Sequence, residues 1–97
     1  MACIILWSKR AEKGFNAIVE YLSAEWTEKE VRVFVKETMQ FIRLLAKKPH
    51  LHTPTRTHPG LYRGPVNKLT ILTYRFDELK NTITLINIRD ARRKPLK

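Results

Sequence analysis

Trp26-Thr27-Glu28-Lys29-Glu30-Val31 divides two stretches of helical periodicity. Thr27 and Glu30 have the spacing of a capping box, in which the Thr hydroxyl accepts from the Glu30 N–H and the Glu30 carboxylate reaches back to the N–H of Thr27. A helix therefore begins here. Trp26 and Val31 fall at N′ and N4, the positions of a hydrophobic staple, which leaves almost no linker to what precedes. Upstream, Ala11, Phe15, Ile18, Val19, Leu22 and Trp26 recur at three- and four-residue steps, the spacing of one helical face. Downstream, Val31, Phe34, Val35, Thr38, Phe41, Ile42 and Leu45 do the same. The chain thus predicts an antiparallel helical hairpin. Its first helix covers Lys9 to Trp26, with Gly14 as the one weak point. The second runs about twenty residues to Lys47 and Lys48, cations suited to a helix C-terminus, and stops against Pro49.

Outward from the hairpin the pattern changes to strands. Cys3-Ile-Ile-Leu-Trp-Ser8 is apolar without helical spacing, and Ser8 is placed to cap the first helix. Residues 49–60 contain Pro49, Pro54, Pro59, Gly60 and all three histidines, which excludes a helix or a central strand and implies an exposed loop. Leu61 to Val66, bent at Gly64-Pro65, Lys68 to Phe76, and Thr82 to Arg89 have the β-branched and aromatic content of strands. Asp77-Glu-Leu-Lys-Asn81 joins the last two as a hairpin loop. The order β-α-α-β-β-β implies an α+β fold, with the helical hairpin packed on one face of a mainly antiparallel four-stranded sheet.

The 97 residues are read as one domain, 1–97, with a single modest core. A hydrophobic content of 43% beside 29% charged residues is that of a folding chain. Cys3 is the only cysteine, so no intrachain disulfide is possible, and no Cys/His spacing resembles a zinc site. The apolar run Ala2 to Trp7 is too short for a secretion signal or a membrane span, and Lys9 and Arg10 follow it instead of preceding it. A cytoplasmic protein is expected, with no membrane partner and no cofactor. No nucleophile motif, glycine-rich phosphate loop or paired-carboxylate arrangement is present, which excludes the well-marked enzyme classes.

The net charge of +10 is uneven: residues 1–48 hold 9 basic and 6 acidic residues, residues 49–97 hold 10 basic and 3 acidic. A field of this sign favours encounter with polyanions and acidic proteins. Arg89, Arg92, Arg93 and Lys94 stand within six residues at the end of the last strand, a cluster suited to clamping phosphates because each guanidinium donates two parallel bonds. Arg63, Lys68 and Arg75, on neighbouring strands, extend the same surface; the competing account is a solvated basic face with a frayed tail. His50 and His52 have no carboxylate or thiol close in sequence and read as solvent-exposed. His58 is a candidate for proton transfer, but nothing nearby in sequence holds it. Trp7, Trp26, Phe15, Phe34 and Phe41 are at core spacing and read as packing residues.

Five stretches together resemble the RelE/ParE superfamily of toxins from bacterial type II toxin-antitoxin modules. They are Ala24-Glu-Trp-Thr27, Phe41-Ile-Arg-Leu-Leu-Ala-Lys-Lys-Pro49, Gly60-Leu-Tyr-Arg63, Ile71-Leu-Thr-Tyr-Arg-Phe-Asp77 and Ile86-Asn-Ile-Arg-Asp-Ala-Arg-Arg-Lys-Pro95. The resemblance implies a toxin of the kind associated with plasmid stabilisation, neutralised by a cognate acidic antitoxin whose C-terminal segment wraps it. It also implies one of two targets. ParE-like toxins inhibit DNA gyrase; RelE-like toxins cut messenger RNA on the ribosome, as ribosome-dependent endoribonucleases. The nuclease pattern expects a basic residue where Thr70 and Ile71 stand, and a Tyr or His after Tyr74, which this chain lacks. Arg63, Lys68 and Arg89 are then the candidate catalytic residues, stabilising charge without a standard base, while Arg75, Arg92, Arg93 and Lys94 are candidates for binding nucleic acid or partner. The first expectation is a ParE-like toxin directed at gyrase or another target; the second is the nuclease, and the third an inactive or simple nucleic-acid-binding relative.

Overall fold

Ser8 and Thr27, the hydroxyls that precede the two helical runs, cap both helices of the computed structural model, which describes residues 2–51, 53–55 and 60–90. Helix α1 spans Lys9–Glu25 and α2 spans Glu28–Lys47. The Ser8 hydroxyl accepts from the Ala11 N–H at 3.0 Å and donates to the Ile86 carbonyl at 3.0 Å, so one side chain starts the helix and ties it to a strand. Thr27 accepts from the Glu30 N–H at 3.4 Å. Only Trp26 and Thr27 separate the helices, and the expected return bond from the Thr27 N–H to the Glu30 carboxylate is not formed, so Thr27 acts as a simple N-cap. Trp26 itself departs from expectation, leaving 53% of its surface in solvent. Its N–H still bonds the Leu22 carbonyl at 2.9 Å, but its own backbone is already extended, so helical spacing no longer aims the indole at the core.

The strands are β1 (Ile4–Trp7), β2 (Thr53–Pro54), β3 (Leu61–Asn67), β4 (Thr70–Asp77) and β5 (Thr82–Asp90), arranged in the order β1-β5-β4-β3-β2. β1 runs parallel to β5, and the other neighbours are antiparallel. This is the expected α+β arrangement, with four main strands and the two-residue β2 added at an edge, inside the stretch read as a loop. Thr53 pairs with Arg63 and Pro54 with Tyr62, and an edge is where a proline's missing N–H does least harm. β4 begins at Thr70 instead of Lys68, because the Asn67 side-chain oxygen Oδ1 accepts from the Leu69 N–H at 2.8 Å and makes residues 67–70 a tight turn. The reversal after β4 is closed by Asp77, which accepts from the Lys80 N–H at 3.2 Å, and by Asn81 in the left-handed region at φ 51°.

Alternation along the strands sends Leu72, Tyr74, Ile83, Leu85 and Ile88 to the face covered by the helices, where all are buried. They meet Ala11, Phe34 and Leu45 of the helices. Fully burying an aliphatic side chain of this size contributes about 1.5–3 kcal/mol. The buried Thr38 hydroxyl donates to the Phe34 carbonyl at 2.8 Å, and the Tyr74 hydroxyl donates to the Pro49 carbonyl at 2.9 Å. Phe15 stacks on Phe34 with centroids 5.3 Å apart and meets Trp7 edge-on at 5.5 Å. Gly14, the weak residue of α1, has a reason: a Cβ there would collide with the Ile88 carbonyl oxygen, so the helix approaches β5 more closely than any side chain permits. No helix among the described residues is long and apolar enough to cross a membrane.

Candidate functional site

The helices cover one face of the sheet, and the same alternation sends Leu61, Arg63 and Pro65 of β3 and Ile71, Thr73, Arg75 and Asp77 of β4 to the other. On β5 alternation by itself would place Thr82, Thr84, Ile86 and Ile88 outward and bury Arg89. A bulge corrects this: Tyr74 pairs with Leu85 but Thr73 pairs with Asn87, leaving Ile86 as the extra residue. Beyond it the parity is reversed, so Ile88 is 1% exposed while Arg89 projects into solvent opposite Ile71.

Arg63, Arg75 and Arg89 therefore share the open face. Arg63 stands opposite Thr73 and Arg75 one row further along β4, which makes them diagonal neighbours about 7–8 Å apart. Arg89 lies about 12–14 Å from either by strand spacing and rise. Among the described residues none of the three is in an ion pair. The row is flanked by aliphatic surface: Ile4 and Leu6 of the edge strand β1, facing the same way, are 58% and 52% exposed. Asp77 is the carboxylate of this face among the described residues, and it is held by the Lys80 N–H.

The remaining sequence candidates lie elsewhere. Lys68 sits in the β3–β4 turn, beside Glu37 and Asp90 at a groove on the helix side, and not with the arginines. Arg92, Arg93, Lys94, His52 and His58 lie outside the described residues. His50 is exposed as read, yet it is partnered: Nδ1 is 3.0 Å from the Tyr62 hydroxyl, Nε2 is 3.7 Å from Glu78, and the ring meets Phe76 edge-on at 5.0 Å. Tyr62 in turn stacks on Tyr74 at 5.3 Å. That cluster joins the chain after α2 to the β3 and β4 strands on the helix side, with the sheet between it and the arginines. Among the described residues no group of three His, Cys, Asp or Glu stands close enough to hold a metal ion. The exposed Ile4 and Leu6 were missed as surface features, because an apolar strand reads as buried until its partner on only one edge is known.

No curated protein sequence matches the chain. Solved structures are similar in fold. The chromosomal ParDE system of P. aeruginosa matches with a TM-score of 0.74 at 12% identity, covering 92% of this chain and 96% of that one. The intact E. coli RelBE toxin-antitoxin complex matches with a TM-score of 0.63 at 16% identity, covering 95% and 100%. The YoeB dimer of Staphylococcus aureus matches with a TM-score of 0.63 at 17% identity, covering 92% and 97%. The sequence itself matches the family described as the ParE toxin of the type II toxin-antitoxin system, parDE, over residues 5–95. The chain therefore belongs to the ParE toxin family of type II toxin-antitoxin systems.

Proposed function

We propose that this toxin works by binding and not by cutting: the open face of its sheet covers a protein target, DNA gyrase in the ParE manner, and a cognate acidic antitoxin neutralises it. The observation that carries this reading is the make-up of that face. Three arginines lie among aliphatic residues, and among the described residues no His, Tyr or other aromatic stands with them. Arginine beside apolar surface suits a protein interface. A single-stranded RNA site calls for aromatic platforms on which bases stack, and Trp7, Tyr62, Tyr74 and Phe76 all point to the helix side.

The second reading is the RelE-like ribosome-dependent endoribonuclease. Arg63 and Arg89 have the charge to stabilise a phosphorane-like transition state, but cleavage also needs a group that accepts the 2′-hydroxyl proton. Asp77 is the carboxylate available on that face, and its oxygen already accepts from Lys80. An acidic antitoxin is supported by the +10 charge; the similar E. coli RelBE structure is itself a toxin-antitoxin complex.

The test uses the purified full chain in two assays: supercoiling by gyrase, and programmed ribosomes carrying a defined messenger. The expected result is lost supercoiling with intact messenger. Cleaved messenger beside unaffected gyrase would instead establish the nuclease, and no effect in either would leave the inactive relative.

A further inference from the structure

Between the first turns of α1, the second half of α2 and the last residue of β1 lies an open pocket of about 420 Å³, lined by Trp7, Glu12, Phe15, Asn16 and Met39. Small-molecule sites span about 300–1,000 Å³. The Phe15 ring meets Trp7 edge-on at 5.5 Å and 76°, so the two rings form a corner, and Phe34 stacks on Phe15 at 5.3 Å and holds it from behind. Trp7, Phe15 and Met39 are packed against the core. Glu12 and Asn16 are exposed, one helical turn apart at the mouth. Among the described residues neither the Glu12 carboxylate nor the Asn16 side chain has a hydrogen-bond or ion-pair partner, although Lys9 and Lys13 are close to Glu12 in sequence.

A corner of aromatic rings, a thioether and one unpaired carboxylate make a set suited to an organic cation. The ring quadrupoles attract the charge, most strongly at Trp, the carboxylate neutralises it, and the flexible thioether packs on alkyl carbon. We propose that this pocket binds a small alkylammonium ion, its charged head in the corner of Trp7 and Phe15 beside Glu12 and its hydrocarbon over Met39. The Asn16 side-chain oxygen accepts one of its N–H bonds. Charge decides between a free amine and the lysine of a protein. Lys36 and Arg43 stand one turn to either side of Met39, and the chain as a whole carries +10, so a basic protein segment is repelled and the proteins that this surface attracts are acidic. A single small cation meets the least of that repulsion, which is screened within about 8 Å at physiological ionic strength, while the pocket contacts are direct. The pocket lies on the helix side, away from Arg63, Arg75 and Arg89, so the inference does not depend on which target those arginines meet.

Titrating the full chain with butylammonium chloride at physiological salt, followed by amide and indole NMR, tests it. The chain carries its own control in its two tryptophans: Trp7 lines the pocket, and Trp26 is half exposed in the turn between the helices. The Trp7 indole N–H and the Glu12, Asn16 and Met39 amides should shift saturably while the Trp26 indole stays still. E12Q should weaken binding about fivefold, the worth of a good exposed ion pair. E20Q, exposed elsewhere on α1, should leave it unchanged. Unmoved Leu72 and Leu85 signals report that both variants are folded. Butanol, the neutral alcohol of the same chain length, should bind far more weakly. Absence of a saturable shift at Trp7, a Trp26 shift that tracks it, equal binding of butanol, or equal binding by E12Q each overturns the proposal. Tighter binding of a blocked lysine, N-acetyl-lysine amide, than of butylammonium would give the pocket to a protein's side chain and overturn it as well.

Discussion

At Gly14 a single missing methyl group sets the distance between a helix and a strand. G14A gains helix propensity but drives a Cβ into the Ile88 carbonyl oxygen, and backbone cannot yield as a flexible side chain can. Overpacking of this kind costs about 1–3 kcal/mol, more than the propensity returns. Urea denaturation of G14A should therefore show a lowered midpoint, whereas an unchanged or raised midpoint would mean that α1 moves off β5 without cost. Tyr74 makes the matching case for a polar atom. Y74F keeps the buried ring but removes the donor to the Pro49 carbonyl, and should lower stability by about 1 kcal/mol in the same assay. The sequence marked Gly14 as a weakness in a helix but offered no reason for it, because the reason sits on Ile88, a contact that only the folded sheet creates.

The bulge at Ile86 decides at the level of the strand which side chains reach solvent. Arg89 joins Arg63 and Arg75 only because one extra residue reverses the parity of β5. Deleting Ile86 removes only the unpaired residue and should leave Ile88 inward and Arg89 outward in a chain that still melts cooperatively, whereas inserting one alanine after Asn87 should turn Ile88 outward and Arg89 toward the helices, placing a charge in the core and abolishing the cooperative melt. By contrast R63A/R75A/R89A touches only the open face, where surface changes usually stay within about 0.5 kcal/mol each. That variant should melt nearly as the parent does while losing toxicity on induction; a large drop in melting temperature would mean that the arginines hold the sheet instead. The helices were legible because caps and apolar periodicity are local signals, as Ser8 and Thr27 show. The face of each strand residue was not. Lys68 read as a strand residue beside the arginines, but the Asn67 side chain makes it part of a turn, and Trp26 kept helical spacing in the sequence while its backbone had already left the helix.

Across the whole molecule, function rests on how one chain divides its surfaces. The helices and the edge strand β1 enclose the core, the open sheet face carries the arginines, and the aromatic pocket opens between α1 and α2. Family and fold were legible from the order of motifs along the chain. The parallel pairing of β1 with β5, which joins the two ends of the sequence, was not, because no local pattern records it. A surface of net charge +10 should also make target association salt-dependent, with an on-rate that falls steeply as ionic strength rises. A flat salt dependence in stopped-flow binding would argue for a dry apolar interface built on Ile4 and Leu6. The most direct test of binding without cleavage follows induced bacterial cells through short pulses of labelled thymidine and of labelled amino acid. The account predicts that thymidine incorporation falls first while transcripts remain intact, and that R63A/R75A/R89A abolishes the fall; early loss of amino-acid incorporation with cleaved transcripts would contradict it.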